Sequence, residues 1–121
     1  MIAAGVGCRR GCSADEIVAV VEQACIQAAT RPVLLAAPET KADERGLRDA
    51  VARLGLTLHL VPDREIRAAQ PRCTTFSARV AAHAGVGSIA EAAALAAAGA
   101  GSRVLLPRIA TARATCALAV S

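Results

Sequence analysis

Alanine fills 31 of 121 positions, and Phe76 stands alone as an aromatic residue, with no Trp and no Tyr. A core without large rings is built by bringing backbones close together and filling the remaining space with Val, Leu and Ile. Such a chain favours helices laid tightly on a sheet. At this length one domain spanning residues 1–121 is expected, large enough to fold without a disulfide or a metal.

The hydrophobic pattern supplies the elements. Ile2 to Val6 reads as a buried strand, followed by the polar loop Cys8-Arg9-Arg10-Gly11-Cys12. Ser13-Ala14-Asp15-Glu16 has the form of a capping box, and Ile17, Val20, Val21, Ala24 and Ala28 follow at helical spacing. Val33 to Ala37 reads as a second strand. The next helix is expected to be capped by Thr40, with Asp43 and Glu44 in its first turn, Leu47, Ala50, Val51 and Leu54 as its buried stripe, and Gly55 as its stop. Glu44–Arg48 and Asp49–Arg53 are spaced to pair on its outer face.

Thr57 to Val61 reads as a third strand, and a short helix runs from Pro62-Asp63 to Ala69. Residues 73–84 carry little pattern. Ser88-Ile89-Ala90-Glu91 forms a second capping box that opens an Ala-rich helix to Ala98, expected to lie on the sheet. Arg103 to Pro107 and Thr115 to Val120 are two further strands, joined too closely for a helical crossover and therefore antiparallel. The sum is an α/β, three-layer sandwich: a mixed, mostly parallel sheet of about five strands with helices on both faces.

The net charge is +4, carried by 13 arginines and the single Lys41. That balance suits an anionic partner. Nucleic acid is disfavoured, because the arginines are scattered and the aromatic stacking platforms of single-strand binders are missing. No apolar run reaches the ~18 residues of a membrane span, and no secretory leader precedes Ile2, so a cytoplasmic protein with five reduced cysteines is expected.

Three loops can gather an anion at helix N-termini, where amides lack intrahelical partners. They are Gly7-Cys8-Arg9-Arg10-Gly11, Thr40-Lys41-Ala42-Asp43-Glu44 and Gly85-Val86-Gly87-Ser88. The alternative for each is a turn and a cap with no ligand. Gly5, Gly7 and Gly11 also make a loose dinucleotide fingerprint, but Glu39 stands too late for its acidic residue. Cys8 and Cys12 are at neither redox nor zinc spacing, and no metal site or cofactor is expected. Cys8, beside Arg9 and Arg10, is expected to have a lowered thiol pKa. Cys25 and Cys116 read as small core residues, and no nucleophilic triad can be assembled.

The motifs Gly5-Val6-Gly7-Cys8-Arg9-Arg10-Gly11 with Ser13-Ala14-Asp15-Glu16-Ile17, then Lys41-Ala42-Asp43-Glu44, then Gly85-Val86-Gly87-Ser88-Ile89-Ala90-Glu91-Ala92-Ala93-Ala94-Leu95 occur in an order that resembles the CobE family. This is the C-terminal domain of the cobalamin-biosynthesis protein CbiG. The resemblance runs from Ile2 to Val120. It implies a role in making the corrin ring of vitamin B12, where two-domain relatives open a lactone on the ring-contracted intermediate and release acetaldehyde. With no counterpart of their N-terminal domain, the chain looks like the stand-alone form. It departs from the family at Ala37, often Thr, and at Arg108, often Lys, which keeps the charge and changes the geometry.

Precorrin and cobalt-precorrin intermediates carry acetate and propionate carboxylates around a flat apolar ring. The expected ligand-binding set is Gly7, Cys8, Arg9, Arg10, Gly11, Lys41, Asp43, Glu44, Gly85, Gly87, Ser88 and Arg108. The expected function is binding or handing over such an intermediate around ring contraction, with other pathway enzymes as partners. The alternatives are a lactone hydrolase using Cys8, Lys41 or Glu44, and a generic phosphate or nucleotide binder.

Overall fold

The computed structural model describes residues 1–75 and 88–121. Phe76, His83, Gly85 and Gly87 lie outside the described residues. Five strands form one sheet: β1 (Ile2–Cys8), β2 (Leu34–Pro38), β3 (Thr57–Val61), β4 (Arg103–Ala110) and β5 (Ala114–Val120), in the order β3-β2-β1-β5-β4. β1 pairs in parallel with β2 and β2 with β3, whereas β5 runs antiparallel to both β1 and β4. Four strands therefore share one direction and β5 opposes them. The expected mixed sheet with helices on both faces is what the chain forms.

Period-two alternation assigns each strand residue to a layer. Ala4, Val6, Leu35, Ala37, Cys116 and Leu118 face a first core with Ile17, Val20, Val21 and Leu47. These come from α1 (Ala14–Ala28) and α2 (Arg45–Leu54). Ala3, Ala36, Val61 and Ala119 face a second core with Ile66, Ala92, Ala93 and Leu95. These come from α3 (Asp63–Ala69) and α4 (Ile89–Ala98). Cys116 is fully buried, and burial pushes its thiol pKa to about 12. Cys25 is likewise buried, as a small core side chain.

The Ala-rich helix α4 lies on the sheet because nothing stands between their backbones. A Cβ on Gly5 would collide with the Ala90 carbonyl and crowd the Ala94 amide. Gly5 is thus a packing residue and no part of a phosphate loop, which disposes of the dinucleotide fingerprint at its first glycine. At the C-terminal end of α4, Ser102 donates to Leu95 O at 2.9 Å and accepts from Arg72 at 2.7 Å.

Several local expectations need correction. Thr40 does not cap α2: Glu39–Lys41 is a 3-10 turn, and the helix begins only at Arg45, so Asp43 and Glu44 precede its first turn. The Glu44–Arg48 and Asp49–Arg53 pairs do not form. Arg48 Nε instead donates to Ala42 O at 2.7 Å, and Arg53 pairs with Asp15 of α1. An i,i+4 pair contributes only tenths of a kcal/mol, so a nearby carbonyl or a carboxylate on another helix displaces it easily. Both capping boxes are half-formed: Ser13 and Ser88 accept from Glu16 N and Glu91 N, whereas the Glu16 and Glu91 carboxylates turn elsewhere. α1 ends on Ala29, in left-handed backbone at φ 51, ahead of the Arg31-Pro32 break.

β4 runs three residues beyond its expected end, to Ala110, despite Pro107. The strand is on the sheet border, where a missing N–H is tolerated, and its register against β5 shifts between Val104 and Leu106 and again between Leu106 and Ile109.

Candidate functional site at the carboxyl edge of the sheet

β1, β2, β3 and β4 all end on one edge of the sheet, and β5 begins there. In open α/β sheets this edge collects ligands, because loops leave it in different directions. Among the described residues, two adjoining clefts open on it, with Gly7 and Cys8 in the wall of both. The first, about 250 Å3, is completed by Pro38, Glu39, Thr40 and Lys41 after β2, by Val61, Asp63 and Ile66, and by Ile89 at the start of α4. The second, about 270 Å3, lies between Arg9 and the β4–β5 turn, from Ala110 to Thr115.

Gly7 makes the shared ridge thin. The Thr115 hydroxyl donates to Gly7 O at 3.4 Å, and a Cβ on Gly7 would stand only 2.7 Å from the Thr115 oxygen. Cys8 follows as the last residue of β1. Its thiol pKa is raised, correcting the expected decrease: burial pushes it up, and the opposing charge of Lys41 does not compensate. Cys8 belongs to a strand and α1 starts six residues later, so no helix N-terminus adjoins the thiol. At neutral pH Cys8 is therefore a thiol.

The glycine loop is not an open cradle of amides. Gly11 N donates to the Glu44 carboxylate at 2.9 Å, Arg9 N to Arg113 O at 2.9 Å, and Cys12 N to Arg9 O at 3.1 Å. Gly11 earns its place through φ 75, and Gly46 through its contact with the Cys12 carbonyl, where a Cβ would collide. Glu44 thus docks α2 against the loop.

Of the expected site residues, the structure brings Gly7, Cys8 and Lys41 to the first cleft and Gly7, Cys8 and Arg9 to the second. Arg10, Gly11, Asp43, Glu44, Ser88 and Arg108 line neither. Ser88 is buried as the cap of α4, and its neighbour Ile89 reaches the cleft instead. Arg10 offers its carbonyl to Arg113 Nη2 at 3.3 Å, and Arg108 its amide to Glu91. Of the four expected cations Arg9, Arg10, Lys41 and Arg108, Lys41 lines the first cleft and Arg9 the second.

The cleft walls also hold Arg113, Thr111 and Thr115, and Glu39 and Asp63, none of them among the expected ligand-binding residues. Arg113 comes beside the end of β1 because β5 pairs with β1, Ala114 standing opposite Cys8. Among the described residues, no group of three His, Cys, Asp or Glu side chains is placed to hold a metal ion, and no helix is long and apolar enough to cross a membrane.

Residues 2–119 match the family model described as cobalamin synthesis G C-terminus. The chain belongs to this cobalamin synthesis G C-terminal family. It is 30% identical over 118 residues to Protein CobE of Sinorhizobium sp., covering 95% of this chain and 77% of that protein. Two solved structures of the family share the fold. One is CobE, a protein from the cobalamin biosynthetic pathway, with TM-score 0.88 and 35% identity, covering 98% of this chain and 89% of the other. The second is the cobalamin biosynthesis protein chiG from Agrobacterium tumefaciens, with TM-score 0.82 and 38% identity, covering 100% and 98%. This CobE-family chain is a cobalamin-biosynthesis protein, as its motif order implied.

Proposed function

We propose that this protein binds an anionic precorrin or cobalt-precorrin intermediate around the ring-contraction stage and hands it to another enzyme of the pathway. The observation that carries the reading is the Gly7–Cys8 ridge, which separates a largely apolar cleft holding Lys41 from a less apolar one holding Arg9. Each cleft falls below the ~300–1,000 Å3 of a pocket that engulfs a ligand. A macrocycle with carboxylate arms instead lies across the ridge, its apolar edge against Ile66 and Ile89 and its arms at the cations. Glu39 and Asp63 in the first wall repel carboxylates, which confines an arm there to the neighbourhood of Lys41.

Binding is favoured over lactone hydrolysis because two of the three catalytic candidates are otherwise disposed. Cys8 holds its proton at neutral pH, and Glu44 is engaged by Gly11. Generic nucleotide binding fares worse, since the Arg9, Gly11 and Cys12 amides of the glycine loop are already engaged within the protein. Absorbance titration of the purified protein with a ring-contracted precorrin tests the reading. Saturable binding that ATP does not displace supports it, displacement by ATP points to a nucleotide site, and release of acetaldehyde from the lactone intermediate converts the binder into a hydrolase.

A further inference from the structure

The second cleft contains more recognition chemistry than a hairpin turn requires. Arg113, exposed on the turn, is held from two directions: its carbonyl accepts from Arg9 N at 2.9 Å, and its Nη2 donates to Arg10 O at 3.3 Å. That holds the guanidinium at the Arg10 carbonyl, in a cleft that Arg9 also lines, while leaving most of its donors for something else. Neither Arg9 nor Arg113 forms an ion pair among the described residues. The turn is closed by Thr111 N donating to Ala114 O at 2.9 Å, and the amides of Ala112 and Arg113 have no acceptor among the described residues.

Two guanidiniums and two amides at the mouth of one small cleft form a fork for a planar, two-oxygen anion. One carboxylate already stands nearby: Glu16 Oε2 accepts from Thr111 Oγ1 at 3.4 Å. Glu16 tempers the positive field, so the cleft discriminates by geometry as well as by charge.

We propose that the cleft between Arg9 and the β4–β5 turn is a carboxylate subsite, in which Arg9 and Arg113 clasp one acetate or propionate arm of the bound macrocycle. This rests on the tetrapyrrole reading for the identity of the ligand, though the carboxylate chemistry can be tested without it. Arg113 then fixes the orientation of the ring across the Gly7–Cys8 ridge, with Lys41 taking an arm on the far side.

Two measurements test the subsite. In the first, propionate alone is titrated into isotope-labelled protein and the amide resonances of Ala112 and Arg113 are followed. Saturable shifts that persist in Lys41→Ala and vanish in Arg113→Ala are expected; shifts unchanged in Arg113→Ala overturn the subsite. In the second, uroporphyrin, with eight carboxylates, is titrated by absorbance into wild-type protein, Arg113→Ala and Arg113→Lys. Arg113→Ala is expected to weaken binding roughly tenfold or more, and Arg113→Lys to recover only part of it, because Lys lacks the fork. Wild-type binding with an unaltered Arg113→Ala affinity overturns the subsite and leaves the tetrapyrrole reading standing. Propionate shifts without any tetrapyrrole binding retain the carboxylate fork and overturn the tetrapyrrole reading. Arg113 is exposed, so its variants are not expected to disturb folding.

Discussion

The carboxylate of Glu91 accepts the backbone amide of Arg108 at 2.9 Å through one oxygen and the amides of Thr74 and Thr75, at 2.7 and 3.0 Å, through the other. A fully buried acid on an otherwise apolar helix thereby ties the segment after α3 to the irregular stretch of β4. Burial pushes its pKa up, but the Thr75 side chain and the Arg108, Thr74 and Thr75 amides outweigh that and hold it below the ordinary 4.5. Glu91→Gln keeps the shape and removes the charge, and should cost about 2–4 kcal/mol in urea unfolding.

The same group predicts an acid dependence. Because its folded pKa is depressed, the unfolded chain takes up the proton first as pH falls. The contribution of Glu91 is complete above the unfolded value and drains away as pH drops through the folded one. The stability difference between wild type and Glu91→Gln, measured by urea midpoints from pH 7 downward, should therefore shrink below about pH 4.5. A difference independent of pH would show that the charge is not what the amides hold.

Gly5→Ala should be among the most damaging single-methyl additions in the chain. The new Cβ has the Ala90 carbonyl in its way, and neither a central strand nor a helix backbone yields cheaply. Overpacking of this kind costs about 1–3 kcal/mol or more, measurable as a fall in melting temperature. Gly11→Ala, with open space around its Cβ, should lose less, through its positive φ alone.

Ala29→Gly should stabilise the protein. Ala29 is exposed and closes α1 in left-handed backbone, a conformation that is strained by about 1 kcal/mol for a residue with a Cβ. A gain of about 0.5–1 kcal/mol in the same urea assay is the expected outcome.

Of the five cysteines, Cys8 should be alkylated first, since the other four are buried. Its raised pKa makes that reaction slow at pH 7 and faster toward pH 9, as followed by mass spectrometry with iodoacetamide. A bound tetrapyrrole lying over the ridge should protect it. Lys41→Ala should weaken that ligand and reduce the salt dependence of binding, whereas Arg10→Ala should change little.

The fold was legible because its signals are local and redundant. The apolar run of β1, the Ser13 and Ser88 caps, Gly55 at φ 67 and the short β4–β5 connection each follow from a few neighbouring residues. The site was legible only where a loop has one way to go. Cys8 ends β1 and Lys41 lies in the turn that follows its parallel neighbour β2, so both come to the same edge. Arg113 comes from the far end of the chain and reaches Cys8 only through the pairing of β5 with β1, a relation no local pattern carries. Glu91 and Glu44 were misread for a related reason. Each sits where a helix start invites a local role, and each is claimed by amides distant in sequence.

Pro107 and the two register breaks in β4 have a consequence for the protein in a crowded cell. A flat, regular border rich in small apolar residues would template the strand of a second molecule and begin a fibre. A border that lacks one N–H and is bent at two places offers no such template, so the sheet cannot grow past β4.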